Sequence, residues 1–217
     1  MIRYRTIQWP WAGFLVVLAL LVQEMLLRWF GAQPSLAETV WRVAVTTLGT
    51  VSLALLLLPP RRPGYMLGAL VCAGLIGYAL YAQYVLDLEP CPLCVFQRIA
   101  VIVCGVVFVV AAIHGPGRKG AMGYALATLF AGSAGAAVAM RHLWIQSLPP
   151  GEVPACGAGL NYMLETLPFA EVLEKVFLGS GECAAVDWRF LGLSLPGWTF
   201  VFFVTMIVAA FALIDRD

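Results

Sequence analysis

Charge is what this chain has least of. Asp, Glu, Lys and Arg make up 12% of its 217 residues, about half the share of an ordinary soluble domain. The net charge is +1, so no basic surface points to nucleic acid, and the few charges act through their placement. Histidine is nearly missing: there are two, neither near a cysteine pair in sequence, which makes a zinc site a poor fit. The six cysteines are too few and too scattered for a small disulfide scaffold. What fills the chain instead is apolar, 62% of it, and that composition is an integral membrane protein's.

The apolar residues come in runs. Arg3 and Arg5 precede a first run from Trp11 to about Phe30, interrupted by Gln23, Glu24 and Arg28. A basic start and an apolar centre have the form of a signal peptide. Glu24, Arg28 and the lack of a clean small-x-small site favour an uncleaved transmembrane helix, with those two charges paired at i,i+4. A second run, Val40 to Leu58, stops at Pro59-Pro60-Arg61-Arg62-Pro63. The third, Tyr65 to Leu86, would reach roughly 33 Å as helix, enough to cross the hydrocarbon core. The fourth spans Leu93 to Ile113, the fifth Ala121 to Ile145 and the last Trp198 to Ile214. Small residues crowd the fifth from Gly132 to Ala137, a surface that lets membrane helices approach closely.

Basic residues set the orientation. Arg3, Arg5, Arg61, Arg62, Arg118, Lys119 and Arg216 fall on alternate ends of the runs, which the positive-inside rule assigns to the cytoplasm. The turn near residue 90 and the long segment 146–197 are then outside, so four cysteines, 91, 94, 156 and 183, share the oxidising side. The outer segment carries Leu160, Met163, Leu164, Leu167, Val172, Leu173, Val176 and Phe177 at near-helical spacing, divided by Pro168. A short amphipathic helix on the bilayer surface is expected there.

Between the third and fourth runs lies Glu89-Pro90-Cys91-Pro92-Leu93-Cys94-Val95-Phe96-Gln97-Arg98. The prolines exclude a helix interior, so the cysteine pair sits at a turn entering a new helix. Unsatisfied N–H groups and the positive end of the helix dipole favour a thiolate at Cys94, and a thiolate is the nucleophile of disulfide exchange. Arg98 follows one turn deeper on the same face. An arginine in an apolar helix needs a partner: the Cys94 thiolate, a lipid headgroup, or the carbonyl oxygen of a bound electron acceptor. Cys72 and Cys104 lie inside runs, where a thiol behaves as a small hydrophobe. Trp144, Trp188 and Trp198 read as interfacial anchors.

From about residue 65 to 214 the chain resembles the disulfide bond formation protein B (DsbB) family of bacterial inner-membrane quinone reductases. The resemblance rests on Pro90-Cys91-Pro92-Leu93-Cys94 with Gln97-Arg98, on Arg141-His142-Leu143-Trp144-Ile145-Gln146, and on Cys156. It continues through Ser180-Gly181-Glu182-Cys183, Asp187-Trp188-Arg189-Phe190-Leu191-Gly192-Leu193 and Pro196-Gly197-Trp198. It implies an all-α membrane fold, with a four-helix transmembrane core in residues 63–217 and residues 1–62 as an extension of one or two further helices.

It also implies a relay. A reduced periplasmic thiol oxidase of the DsbA type would attack a Cys156–Cys183 disulfide, Cys183 would exchange with Cys91, and Cys94 would be released against a bound quinone, either ubiquinone or menaquinone. Arg98 and His142 take the quinone-binding positions, and Gln97 stands where the family often has an acid. No metal is expected.

Two other readings compete. A vitamin K epoxide reductase type enzyme also couples two outer cysteine pairs to quinone, but it would have its reactive Cys-x-x-Cys late in the chain, after the loop pair. A non-catalytic membrane protein with structural disulfides would resist thiol buffers, whereas catalytic disulfides exchange.

Overall fold

The computed structural model describes residues 36–149, 151–153, 160–186 and 188–216. The first apolar run and Cys156 therefore lie outside the described residues. Among the described residues five helices are long and apolar enough to cross a membrane: α1 (Leu36–Leu57), α2 (Arg61–Tyr84), α3 (Pro92–His114), α4 (Arg118–Gln146) and α8 (Leu195–Ala212), the last prolonged by a 3-10 turn at Leu213–Asp215. Between α4 and α8 the described residues form three short helices, α5 (Leu160–Thr166), α6 (Phe169–Leu178) and α7 (Gly181–Ala184). A two-stranded hairpin, β1 (Arg189–Phe190) and β2 (Leu193–Ser194), completes that segment.

Proline and glycine punctuate these elements as their backbones require. Cys91 is the N-cap of α3 and Pro92 its first residue, a position where the missing N–H is not needed and φ is already set. The helix ends at Gly115, in the left-handed conformation (φ 57°), whose N–H bonds to the Ala111 carbonyl. Pro168 separates α5 from α6 as expected.

The start of α2 departs from expectation. Pro59-Pro60-Arg61-Arg62-Pro63 is not only a stop but also a start: the helix begins at Arg61, with Pro60 as N-cap and Pro63 inside the first turn. The first turn has no intrahelical use for its N–H groups, so proline costs nothing there. Similarly, α1 begins four residues before the apolar run, with Glu38 in its first turn, where a negative charge suits the dipole.

Sequential neighbours α2, α3, α4 and α8 pack side by side, and α1 lies along the free flank of α8. The large core, with Tyr65, Phe108, Ala121, Phe203 and Leu213, fills the end of the bundle remote from the Cys-x-x-Cys turn. Gly135 lets α4 approach α8 closely, since a Cβ there would stand 2.3 Å from the buried Phe203 ring. With 29 residues, α4 is about 43 Å long, longer than the roughly 30 Å hydrocarbon core. Its extra turns carry Arg141, His142 and Gln146 to the cysteine end.

Candidate functional site

At that end a second buried cluster joins Cys91 and Leu93 of the α3 entrance, Ile145 of α4, Val172 and Val176 of α6, and Cys183 of α7. The amphipathic pattern of α6 explains its position: Val172 and Val176 face inward, while Phe169, Phe177 and Leu178 remain exposed. The packed helix delivers the chain through Gly179 to Cys183.

Cys91 is central. Its Sγ lies 3.1 Å from Cys94 Sγ and 3.9 Å from His142 Nε2, and Cys91, His142 and Cys183 hold their Sγ and ring-nitrogen atoms within 4.8 Å of one another. The Cys183 thiol pKa is pushed up, first by its hydrogen bond to Cys91 and then by burial, so in this reduced arrangement Cys183 keeps its proton while docked. Two cysteines and a histidine form a soft-metal donor set in type. Here, however, His142 Nε2 is 3.0 Å from the Cys183 carbonyl, an acceptor that calls for an N–H and not a lone pair. The sulfurs are disposed for exchange with one another.

Polar groups behind the cysteines form a buried chain. Gln97 Nε2 is 3.2 Å from His142 Nδ1, and the Thr199 hydroxyl donates to Gln97 Oε1 at 2.7 Å. Gln97 and His142 are both nearly inaccessible. Arg98, half-buried, donates to the Gln83 side chain and to the Ala79 carbonyl of α2. Its remaining N–H groups have no protein partner among the described residues.

These groups line one cavity of about 180 Å³. Its lining includes the polar or reactive side chains of Cys94, Gln97, Arg98, His142 and Thr199 and apolar residues such as Leu75, Ile76 and Val101. A cavity of about 150 Å³ holds a benzene ring, so the space takes a six-membered ring, and Arg98 offers a donor to one carbonyl oxygen of it. The site fits a quinone headgroup by size and donor chemistry.

The structure thus brings together Cys91, Cys94, Arg98, His142 and Cys183, while Cys156 lies outside the described residues. Sequence reasoning did not find Thr199 or Gln83, and it left Gln97 without a role. A glutamine one residue before an arginine in an apolar helix was the available signal for Gln97. Thr199 gave none, because threonine in a membrane helix commonly bonds its own backbone, as this one also does to Leu195.

The family model described as "Disulfide bond formation protein DsbB" matches residues 61–213. A disulfide bond formation protein B of Hahella chejuensis is 55% identical over 157 residues, 72% of this chain and 95% of that protein. Its namesakes in Chromobacterium violaceum, 50% identical over 156 residues, and Methylococcus capsulatus, 46% over 158, are matched over 94% and 95% of their own lengths and over 72% and 73% of this chain. No solved structure matches the chain.

Proposed function

The chain belongs to the DsbB family of disulfide bond formation proteins, and from that premise we propose that it is a membrane thiol:quinone oxidoreductase that reoxidises a periplasmic dithiol oxidase of the DsbA type. The observation that carries this reading is the convergence of Cys183 on Cys91, which with Cys94 and Arg98 lines a ring-sized cavity. Residues 61–213 form the catalytic core in the inner membrane, with both cysteine pairs on the periplasmic side, and residues 1–60 are an extension to it.

The steps follow from thiolate chemistry. A partner thiolate attacks Cys156 of a Cys156–Cys183 disulfide, forming a mixed disulfide and freeing the Cys183 sulfur with the bonding pair. Cys183 then attacks Cys91 Sγ. The Cys91–Cys94 bond breaks, its electron pair leaves on Cys94, and no net oxidation occurs within the chain. Cys94, at the third residue of α3, receives that negative charge beside free helix N–H groups and within the cavity. The partner's second thiolate then attacks its own sulfur in the mixed disulfide, so the partner leaves oxidised and Cys156 leaves as a thiolate. Cys156 attacks Cys183, the Cys156–Cys183 bond re-forms and Cys91 is released beside Cys94. A bound quinone would supply the acceptor for two electrons and two protons as the Cys91–Cys94 disulfide is restored. Arg98 would hold the ring by a carbonyl oxygen and favour negative charge there, while Leu75, Ile76 and Val101 exclude water and His142 lines the same space.

Anaerobic mixing of quinone-loaded protein with a reduced DsbA-type oxidase, followed by quinone absorbance, tests the proposal. Quinone is reduced by the native protein, and Cys94→Ser and Cys183→Ser bring turnover to background. Unreduced quinone, with quinone bound and a competent partner present, overturns it.

A further inference from the structure

The outermost turns of α4 grip the segment that carries Cys183 by its backbone. Arg141 Nε and Nη2 donate to the carbonyls of Phe177 and Leu178 at 2.8 and 2.9 Å, and the guanidinium lies 4.1 Å above the Trp144 ring. His142 Nε2 meets the Cys183 carbonyl at 3.0 Å. Between these grips the chain turns at Gly179, where φ is +88° and a Cβ would stand 2.3 Å from Ile145, so only glycine passes there without strain. Two consecutive residues of one helix therefore hold both ends of residues 177–183.

The proton on His142 is fixed by its partners. A carbonyl oxygen only accepts, so Nε2 carries a hydrogen. Nδ1 faces the Gln97 amide at 3.2 Å. The Thr199 hydroxyl donates to Gln97 Oε1, so it is the amide NH2 that meets Nδ1 and donates to it, which makes Nδ1 the bare nitrogen and leaves the ring proton on Nε2.

Building on the relay above, we propose that Arg141 and His142 form a clamp that docks the Cys183 segment with its sulfur at Cys91, and that Gln97, backed by Thr199, is a positioning residue that keeps the His142 Nε2 proton on the Cys183 carbonyl. The clamp sets how often Cys183 is in place to attack Cys91 and expel Cys94.

The test uses the full chain carrying Cys94→Ser and Cys156→Ser, in which Cys91 and Cys183 are the one pair left at this end. Equilibration with reduced and oxidised glutathione, then mass spectrometry of linked peptides, gives the effective concentration of Cys183 at Cys91. In that background His142→Phe and Arg141→Gln each lower it about tenfold, the scale of a lost hydrogen bond in a partly buried site. His142→Gln, whose amide N–H can reach the place of Nε2, restores most of it. Gln97→Leu lowers it less, and nitrogen NMR of His142, one of two histidines, then shows the proton divided between the ring nitrogens instead of resting on Nε2.

Equal pairing in the parent, His142→Phe and Arg141→Gln overturns the clamp and leaves the relay standing. No Cys91–Cys183 pairing in the parent overturns both. Should His142→Phe fail to fold, the Gln97→Leu spectrum decides: a proton still confined to Nε2 overturns the positioning role.

Discussion

Arginines cap helix carbonyls at both ends of the bundle, with different consequences. At the end remote from the cysteines, Arg61 donates to the carbonyls of Leu213, Ile214 and Pro116, Arg62 to Ala112, and Arg216 to Leu58 and Leu55. Each cation meets the last turn of a spanning helix or the link beyond it, where unpaired carbonyls and the negative end of the dipole favour it. The large core lies directly beneath. At the cysteine end Arg141 makes the same contact to α6, but the capped segment carries a reactive thiol and rests on a smaller cluster beside an open cavity. The same bond thus ties permanent ends together at one side and, in the proposed relay, holds a segment that must dock and release at the other.

The largest effect expected from breaking this contrast comes from exchanging an arginine for alanine at each end. Arg98→Ala removes the cavity's cation; hydrogen bonds to charged groups are worth about 1.5–3 kcal/mol, so KM for quinone rises by at least about tenfold, and the lost bonds to Gln83 and Ala79 also lower the thermal midpoint. Arg61→Ala uncovers three carbonyls, lowers the midpoint and leaves KM unchanged. Quinone titration and thermal unfolding of both variants decide, and identical behaviour of the two would erase the distinction.

Next in size are the close approaches. In Gly135→Ala the new methyl meets the Phe203 ring, which is fully buried and has nowhere to swing, so overpacking costs about 1–3 kcal/mol and appears as a lower unfolding midpoint. Gly179→Ala meets only the tip of the Ile145 side chain, but it forces a left-handed residue. Its loss is expected in Cys91–Cys183 pairing more than in the midpoint.

How much of this was legible in the sequence differs between the same two regions. The spans were readable because lipid demands apolar residues whatever the neighbours, and α3 matches its expected range to one residue at each end because Pro92 and Gly115 punctuate it. Cys91 and Cys94 at a helix entrance followed from the prolines alone. The start of α2 did not, because a proline cluster signals a stop and a first turn equally well. The partners of Arg98 were hidden: Gln83 and Ala79 lie on another helix, and their proximity depends on how α2 and α3 pack. The Gln97–His142–Thr199 chain is hidden for the same reason, since it joins three helices far apart in sequence. Cys183 became a partner of Cys91 only through resemblance, and the structure adds the backbone bond that puts it there.

A smaller effect concerns pH. In the reduced, docked state the Cys183 pKa stands above the ordinary value of 9.0. Docking therefore favours the protonated thiol. Its contribution is complete below about pH 9 and is lost as pH rises through the raised value. Anaerobic alkylation of Cys183 should be slower than that of a free thiol near pH 8 and should accelerate steeply above pH 9. His142→Phe, by releasing the segment, should bring the pH 8 rate up towards the free-thiol rate. Equal rates at pH 8 in native and variant protein would show that docking does not protect the sulfur.

The smallest effect on catalysis is expected from removing residues 1–60. Helix α1 touches the bundle along α8: Val43 packs with Leu193 and Val201, and the Thr50 and Thr205 hydroxyls lie 3.3 Å apart. No described residue before Leu75 lines the cavity. Truncation therefore exposes one flank of α8 and takes from Arg216 both its carbonyl partners at Leu58 and Leu55, which lowers the unfolding midpoint. KM for quinone and the Cys91–Cys183 pairing should remain as in the full chain. A truncated protein that stays folded but loses quinone affinity would place α1 on the route by which quinone reaches Arg98, and the contrast between a fixed end and a working end would then have to include the extension.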